Sequence, residues 1–106
     1  MRNNYSNILT FNKESLTKTI NLLNKKNVVG LPTETVYGLG GSAYSKKSIE
    51  KIFKIKQRPK SNPLIIHYHN INEASEDVLI NQNFKKLYNK FCPGPITFIL
   101  KKKNEF

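Results

Sequence analysis

The chain has 106 residues, a length that suits one small domain. Hydrophobic residues make up 38% and charged residues 24%, which favours a folded soluble protein over a disordered one. The formal charge of +11 favours polyanionic ligands such as RNA or nucleotide phosphates, although AT-rich codon usage also produces such a lysine-rich bias. No apolar run approaches the roughly 20 residues of a membrane helix, and no signal peptide is evident, so we expect a cytoplasmic protein.

Hydrophobic periodicity divides the chain into alternating helices and strands. Leu16, Ile20 and Leu23 recur at the i, i+4, i+7 spacing of an amphipathic helix. The predicted elements, in chain order, are a helix around residues 13–26, a strand at 28–31, a loop at 33–41, a helix capped by Ser45 and ended by Pro59, a strand at 64–68, helices around 71–79 and 84–91, and a strand at 96–100. Strands separated by helices predict one α/β domain over residues 1–106.

The first candidate site segment, residues 31–40, follows the first predicted strand. Its sequence is Leu-Pro-Thr-Glu-Thr-Val-Tyr-Gly-Leu-Gly. Ligands of open α/β sheets bind at strand ends, and the hydroxyls of Thr33 and Thr35 suit an amino acid or a phosphate. A structural turn is the simpler explanation of this composition taken alone.

The second candidate segment is rich in cations. Lys54, Lys56, Arg58 and Lys60 fall within residues 54–60, and prolines follow at positions 59 and 63. A charge run is usually a solvated helix face, but these prolines indicate that the chain has left the helix in a defined shape. Lysine and arginine both suit phosphate oxygens. The sequence has no GxxxxGK[ST] loop, so a nucleotide would be held in another way.

Two histidines and one cysteine are candidates for metal ligands or nucleophiles. Alternation along the predicted strand at 64–68 and beyond puts His67 and His69 on one face. No carboxylate or cysteine partner stands close by, so a hydrogen-bonding role is favoured and we predict no protein metal site. Cys92 is the single cysteine, which excludes an internal disulfide and favours a partly buried apolar role over a nucleophilic one.

These segments in this order resemble the YrdC/TsaC family of L-threonylcarbamoyl-AMP synthases. The matching motifs are residues 31–40, Ile-Lys-Gln-Arg-Pro, Asn-Pro-Leu-Ile-Ile-His and Pro-Gly-Pro-Ile-Thr, and the resemblance spans roughly residues 13–103. It implies a twisted mixed sheet with flanking helices and a basic concave face. The family's later arginine-bearing strand and Ser-x-Asn segment have no counterpart here. We therefore expect the N-terminal portion of the domain, incomplete at its C-terminus, with little synthase activity by itself.

The resemblance also implies a reaction and its substrates. Family members make threonylcarbamoyl-AMP and pyrophosphate from L-threonine, bicarbonate or CO2, and ATP, which is a nucleotidyl transfer. The product serves N6-threonylcarbamoyladenosine modification of tRNA next to the anticodon, through a downstream transfer complex. ATP is thus expected as a substrate, with Mg2+ held by its phosphates.

Five residues of this chain match family site positions. Lys56 and Arg58 match a K-x-R element that faces the nucleotide phosphates, which implies catalytic and ATP-binding roles. Asn62 matches a nucleotide contact, and Thr35 and His67 match contacts to L-threonine. Thr33 and Thr97 lie in matching motifs but receive no role.

Two other functions compete with the synthase. The charge favours a non-catalytic module that binds tRNA or double-stranded RNA, or a decayed copy of the enzyme. The third hypothesis is a carbamoyltransferase subdomain of a hydrogenase-maturation protein. Those proteins are far longer and carry cysteine-rich zinc segments, and one cysteine in this chain counts against that assignment.

Overall fold

The computed structural model of this chain describes residues 7–103. These residues form two compact units, one ending at Leu64 and the other beginning at Ile65. The elements are α1 (Lys13–Asn24), β1 (Val29–Leu31), β2 (Gly38–Gly40), α2 (Lys46–Ile55), α3 (Ile71–Asp77) and α4 (Gln82–Phe91). The combination of helices and a sheet confirms the predicted α/β class.

In the first unit, helix α1 begins at a capping box. The Asn12 side chain accepts from the Ser15 amide at 2.9 Å, and the Ser15 hydroxyl accepts from the Asn12 amide at 2.9 Å. The helix ends at Asn24, and two residues later Lys26 has a φ of 65°, which lies in the left-handed region. Since the Asn27 amide donates to the Leu22 carbonyl at 3.0 Å, this end is a Schellman motif built without glycine.

The sheet of the first unit is a single antiparallel pair. Strand β1 pairs with β2, with Val29 opposite Gly40 and Leu31 opposite Gly38. Residues 38–40 therefore belong to a strand, although the sequence predicted a loop through residue 41. The glycines in this strand concealed its β character, because glycine has no side chain to contribute to the hydrophobic pattern.

The core of the first unit lies where β2 meets α2. Ser45 caps α2 as predicted, accepting from the Ser48 amide at 3.1 Å. Ser48 and Ile52 are buried on the inner face of this helix. Gly41 packs directly on that face, because a Cβ added there would lie 3.1 Å from the Ser48 Cβ. The close approach joins the segment after β2 to α2.

The second unit is held together around α4. Phe84 is 7% exposed, and its ring meets that of Phe98 edge-on at a centroid distance of 4.8 Å. Residues 101–103 lie beside the end of α3, where Leu79 donates to the Lys101 carbonyl at 2.8 Å. Val78 and Lys102 form an isolated antiparallel bridge there.

Two of the predicted strands were wrong. Residues 64–68 and 96–100 have no strand assignment among the described residues, and the described sheet is not mixed. Apolar alternation identifies a segment that can adopt an extended conformation. A strand also needs a neighbouring strand that forms hydrogen bonds with its backbone N–H and C=O groups. In the second segment, Phe98 packs against Phe84 while Ile99 is 98% exposed. The expected basic concave face stays a prediction.

Candidate functional site

The threonine-rich loop between β1 and β2 is organised by Thr33. Its hydroxyl oxygen accepts from the Thr35 amide at 3.2 Å and donates to the Val36 carbonyl. Such a side-chain-to-backbone turn uses serine or threonine in place of a backbone bond. It leaves the Thr35 hydroxyl on an exposed loop, 3.4 Å from the Thr33 hydroxyl. The family resemblance assigned Thr33 no role, although its position two residues before Thr35 is the signal for this turn.

The exit from α2 is sharply defined by backbone hydrogen bonds. Gln57 adopts φ 50°, a left-handed conformation that is unusual for any residue other than glycine. Beyond it, the Arg58 amide donates to the Phe53 carbonyl at 2.9 Å, and the Gln57 amide donates to the Lys54 carbonyl at 3.2 Å. These two bonds form a Schellman motif, so the chain turns out of the helix at a fixed angle.

The Arg58 side chain then reaches forward along the same loop. Its Nε donates to the Asn62 carbonyl at 3.1 Å, and its Nη2 donates to the Pro63 carbonyl at 2.8 Å. Within the span, the Asn62 amide donates to the Pro59 carbonyl at 3.0 Å, which makes residues 59–62 a tight turn. The structure thus brings Lys56, Arg58 and Asn62 into one short loop.

A cavity of about 490 Å³ lies beside this loop. Its lining contains three cations and one carboxylate together with an aromatic ring: Glu50, Phe53, Lys54, Arg58 and Lys60. Lys54 and Lys60 belong to the cation run predicted from the sequence and lie beside Arg58 in this lining, which does not include Lys56 or Asn62. Their cations give this cavity a positive character that suits an anion.

The threonine contacts expected from the sequence fall in different units. Thr35 belongs to the first unit, and His67 belongs to the second, where it is exposed. The strand that was to place His67 and His69 on one face is not assigned, and their common face stays a prediction. Nearby, the Tyr68 hydroxyl donates to the buried Asp77 carboxylate at 2.8 Å, which ties residue 68 to α3. The expected grouping of Thr35, Arg58 and His67 around one concave face stays a prediction.

Neither a metal cluster nor a membrane helix is found in the described part of the chain. Between residues 7 and 103, no three histidine, cysteine, aspartate or glutamate side chains gather as a metal site would require. The helices of that region are also too short and too polar to cross a bilayer. A role for Mg2+ held by ATP phosphates stays a prediction.

The described residues thus form an α/β chain with a cationic loop after α2 and a threonine turn between β1 and β2. Residues 21–106 match the family model of Sua5, YciO and YrdC, which is described as telomere recombination. The chain belongs to this family, as its motifs predicted.

Individual relatives agree with this assignment. A Methanocaldococcus jannaschii protein, provisionally named a threonylcarbamoyl-AMP synthase, is 35% identical over 97% of this chain and 52% of its own length. The Bacillus subtilis threonylcarbamoyl-AMP synthase is 39% identical over 87% of this chain and 27% of its own length. The Pyrococcus abyssi threonylcarbamoyl-AMP synthase is 42% identical over 71% of this chain and 22% of its own length. The chain thus spans about half or less of the length of each of these relatives.

Proposed function

We propose that this chain takes part in the synthesis of threonylcarbamoyl-AMP from L-threonine, bicarbonate or CO2, and ATP. The observation that supports the proposal is 35–42% identity with relatives named for this activity, over 71–97% of the chain. The proposed nucleotide residues, Lys56, Arg58 and Asn62, lie within the residues that the family model matches, and they share one loop. The proposed threonine contacts are Thr35 and His67.

The proposed chemistry depends on positioning and charge neutralisation. The amino group of L-threonine attacks CO2 to give a carbamate, and a carbamate oxygen attacks the α-phosphorus of ATP. The bond from that phosphorus to the bridging oxygen breaks, and pyrophosphate leaves. Cations near the phosphates would stabilise the negative charge that develops on them. Lys56 is exposed at the end of α2, where its ammonium group can reach a bound anion.

The experiment is ATP binding by calorimetry with the purified 106-residue chain, with and without L-threonine. Lys56→Gln and Asn62→Ala should each weaken ATP binding about tenfold or more, since a hydrogen bond to a charged group contributes about 1.5–3 kcal/mol. The matched controls are Lys46→Gln, an exposed lysine at the opposite end of α2, and Asn89→Ala, an exposed asparagine on α4. Absence of ATP binding at millimolar concentration, or equal effects of the controls, would contradict the proposal.

A second measurement follows the reaction itself. Pyrophosphate release is recorded with ATP and bicarbonate, in the presence and in the absence of L-threonine. The proposal requires that any release depend on L-threonine and fall in the Thr35→Val variant, which keeps the shape of the side chain without its hydroxyl. Release that is independent of L-threonine would point to simple ATP hydrolysis instead.

RNA binding without catalysis is the second candidate function, favoured by the formal charge of +11. Binding to tRNA or double-stranded RNA would then weaken steeply with salt, because each phosphate contact releases counterions. The same lysine pair separates the two functions. An RNA-binding surface would lose similar affinity in Lys56→Gln and Lys46→Gln, whereas a nucleotide site loses affinity only in Lys56→Gln.

A further inference from the structure

The described loop between β1 and β2, residues 32–37, is held by the hydroxyl of Thr33. The loop joins two strands that pair directly with each other. Each hydrogen bond that the described structure forms inside residues 32–37 uses this hydroxyl, which accepts from the Thr35 amide at 3.2 Å and donates to the Val36 carbonyl. The shape of the loop around Thr35 therefore depends on one side-chain oxygen.

The hydrogen-bonding capacity of this oxygen is used entirely within the loop. A hydroxyl has one proton to donate and two lone pairs that accept. The Val36 carbonyl takes the Thr33 proton, and the Thr35 amide takes one lone pair. The Thr35 hydroxyl lies 3.4 Å from the Thr33 hydroxyl, and Thr35 is the donor in this contact because Thr33 has no second proton. Thr33 thus has nothing left for a ligand, whereas the exposed Thr35 oxygen keeps its lone pairs.

We propose that Thr33 is a positioning residue, which makes the Thr35 hydroxyl a hydrogen-bond acceptor for a donor group of the ligand. The inference rests on the proposed function, in which Thr35 contacts L-threonine. The amino group and the hydroxyl of L-threonine each carry a proton that they can donate, whereas its carboxylate only accepts. Because the Thr35 proton is directed at Thr33, Thr35 meets the amino group or the hydroxyl of the substrate and not its carboxylate.

Two substitutions separate the hydroxyl of Thr33 from its methyl group. A Cβ added at Gly38 would lie 3.8 Å from the Thr33 Cγ2, an ordinary contact distance, so the methyl group lies beside the start of β2. Thr33→Val keeps this methyl group and the shape of the side chain but removes the hydroxyl. Thr33→Ser keeps the hydroxyl and removes the methyl group. The proposal depends on the hydroxyl, so valine should disturb Thr35 and serine should not.

The first test needs no ligand and uses nuclear magnetic resonance of the 15N-labelled 106-residue chain. In Thr33→Val, the Thr35 amide loses its acceptor and should exchange with water about fivefold faster or more, whereas Thr33→Ser should stay within about twofold of the unsubstituted chain. The reference is the Ser48 amide, which donates to the Ser45 hydroxyl and should exchange equally in all of these proteins. Unchanged exchange of the Thr35 amide in Thr33→Val would overturn the proposal.

The second test measures L-threonine binding by titration of the same signals. Thr35→Val and Thr33→Val should each weaken binding about fivefold or more, and Thr33→Ser should restore it to within about twofold. Full affinity in Thr33→Val would contradict the positioning role. If L-threonine moves no signal of the unsubstituted chain, the proposed function fails for this chain, and the exchange of the Thr35 amide alone decides whether Thr33 holds the turn.

Three analogues identify the group of L-threonine that Thr35 meets, because each replaces one group with hydrogen. They are 3-hydroxybutyrate without the amino group, L-2-aminobutyrate without the hydroxyl, and 1-aminopropan-2-ol without the carboxylate. Each is titrated against the unsubstituted chain and Thr35→Val. The proposal expects the difference in affinity between these two proteins to disappear for 3-hydroxybutyrate or for L-2-aminobutyrate, and to persist for 1-aminopropan-2-ol. A difference that disappears for 1-aminopropan-2-ol, or that persists for all three analogues, would overturn it.

Discussion

Replacement of Gly41 by alanine tests the packing that joins β2 to α2. The added Cβ would lie 3.1 Å from the Ser48 Cβ, 3.3 Å from the Val28 Cγ1 and 3.4 Å from the Ile52 Cδ1. None of these atoms ends a long flexible chain that could move aside freely. Overpacking of this kind costs about 1–3 kcal/mol. Alanine also restricts the unfolded chain more than glycine does, which stabilises the folded state by about 0.4–1 kcal/mol. We therefore expect a net destabilisation of about 0.5–2 kcal/mol.

Gly30→Ala is the matched control for this substitution. Gly30 lies in β1, and nothing comes within 4 Å of a Cβ built there. Neither glycine has positive φ, so alanine brings no backbone strain at either position. We expect Gly30→Ala to leave the free energy of unfolding unchanged or to raise it by up to about 1 kcal/mol. Urea unfolding gives the comparison, and amide exchange at Ser48 and Ile52 gives the local effect. Equal stability of the two variants would refute the packing argument.

The remaining predictions concern a helix end and two contacts of the second unit. Lys26→Gly should raise the thermal midpoint, because φ 65° costs a side-chain-bearing residue about 1 kcal/mol; a lower midpoint would show that the lysine side chain stabilises this turn. Tyr68→Phe should lower the free energy of unfolding by about 1–3 kcal/mol, since it removes a 2.8 Å bond to the buried Asp77 carboxylate; no change in urea unfolding would contradict this. Phe84→Ala should cost about 3–5 kcal/mol and lose the near-ultraviolet circular dichroism of its contact with Phe98; an unchanged spectrum would count against that packing.

The helices could be predicted because their signals are local. Ser45 precedes α2 as a serine cap, and the spacing of Ile49, Ile52 and Phe53 marks the inner face of that helix. The predicted C-terminal ends were less accurate, since α1 stops at Asn24 and turns at a left-handed Lys26. Glycine or asparagine is the usual signal for such a turn, and neither stands at this position. The sequence therefore offered no local mark of the helix end.

The strands and part of the candidate site depend on distant pairing, which one sequence does not reveal. Residues 64–68 have the composition of a strand but no ladder among the described residues. The loop from Lys56 to Asn62 was predicted as a unit because its members are neighbours in the chain. The carbonyl partners of Arg58 were not foreseen, since nothing in a charge run reveals hydrogen bonds to backbone carbonyls.

The proposed nucleotide residues and the proposed threonine contact His67 are held in place by different parts of the chain. The loop after α2 is held by hydrogen bonds between residues no more than five positions apart, from Phe53 to Pro63. Its geometry therefore depends on α2 and on the loop itself. His67, by contrast, belongs to the second unit, which packs around Phe84 and Phe98. Substitutions that disturb the second unit, such as Phe84→Ala, should consequently weaken any threonine dependence before they weaken the binding of ATP.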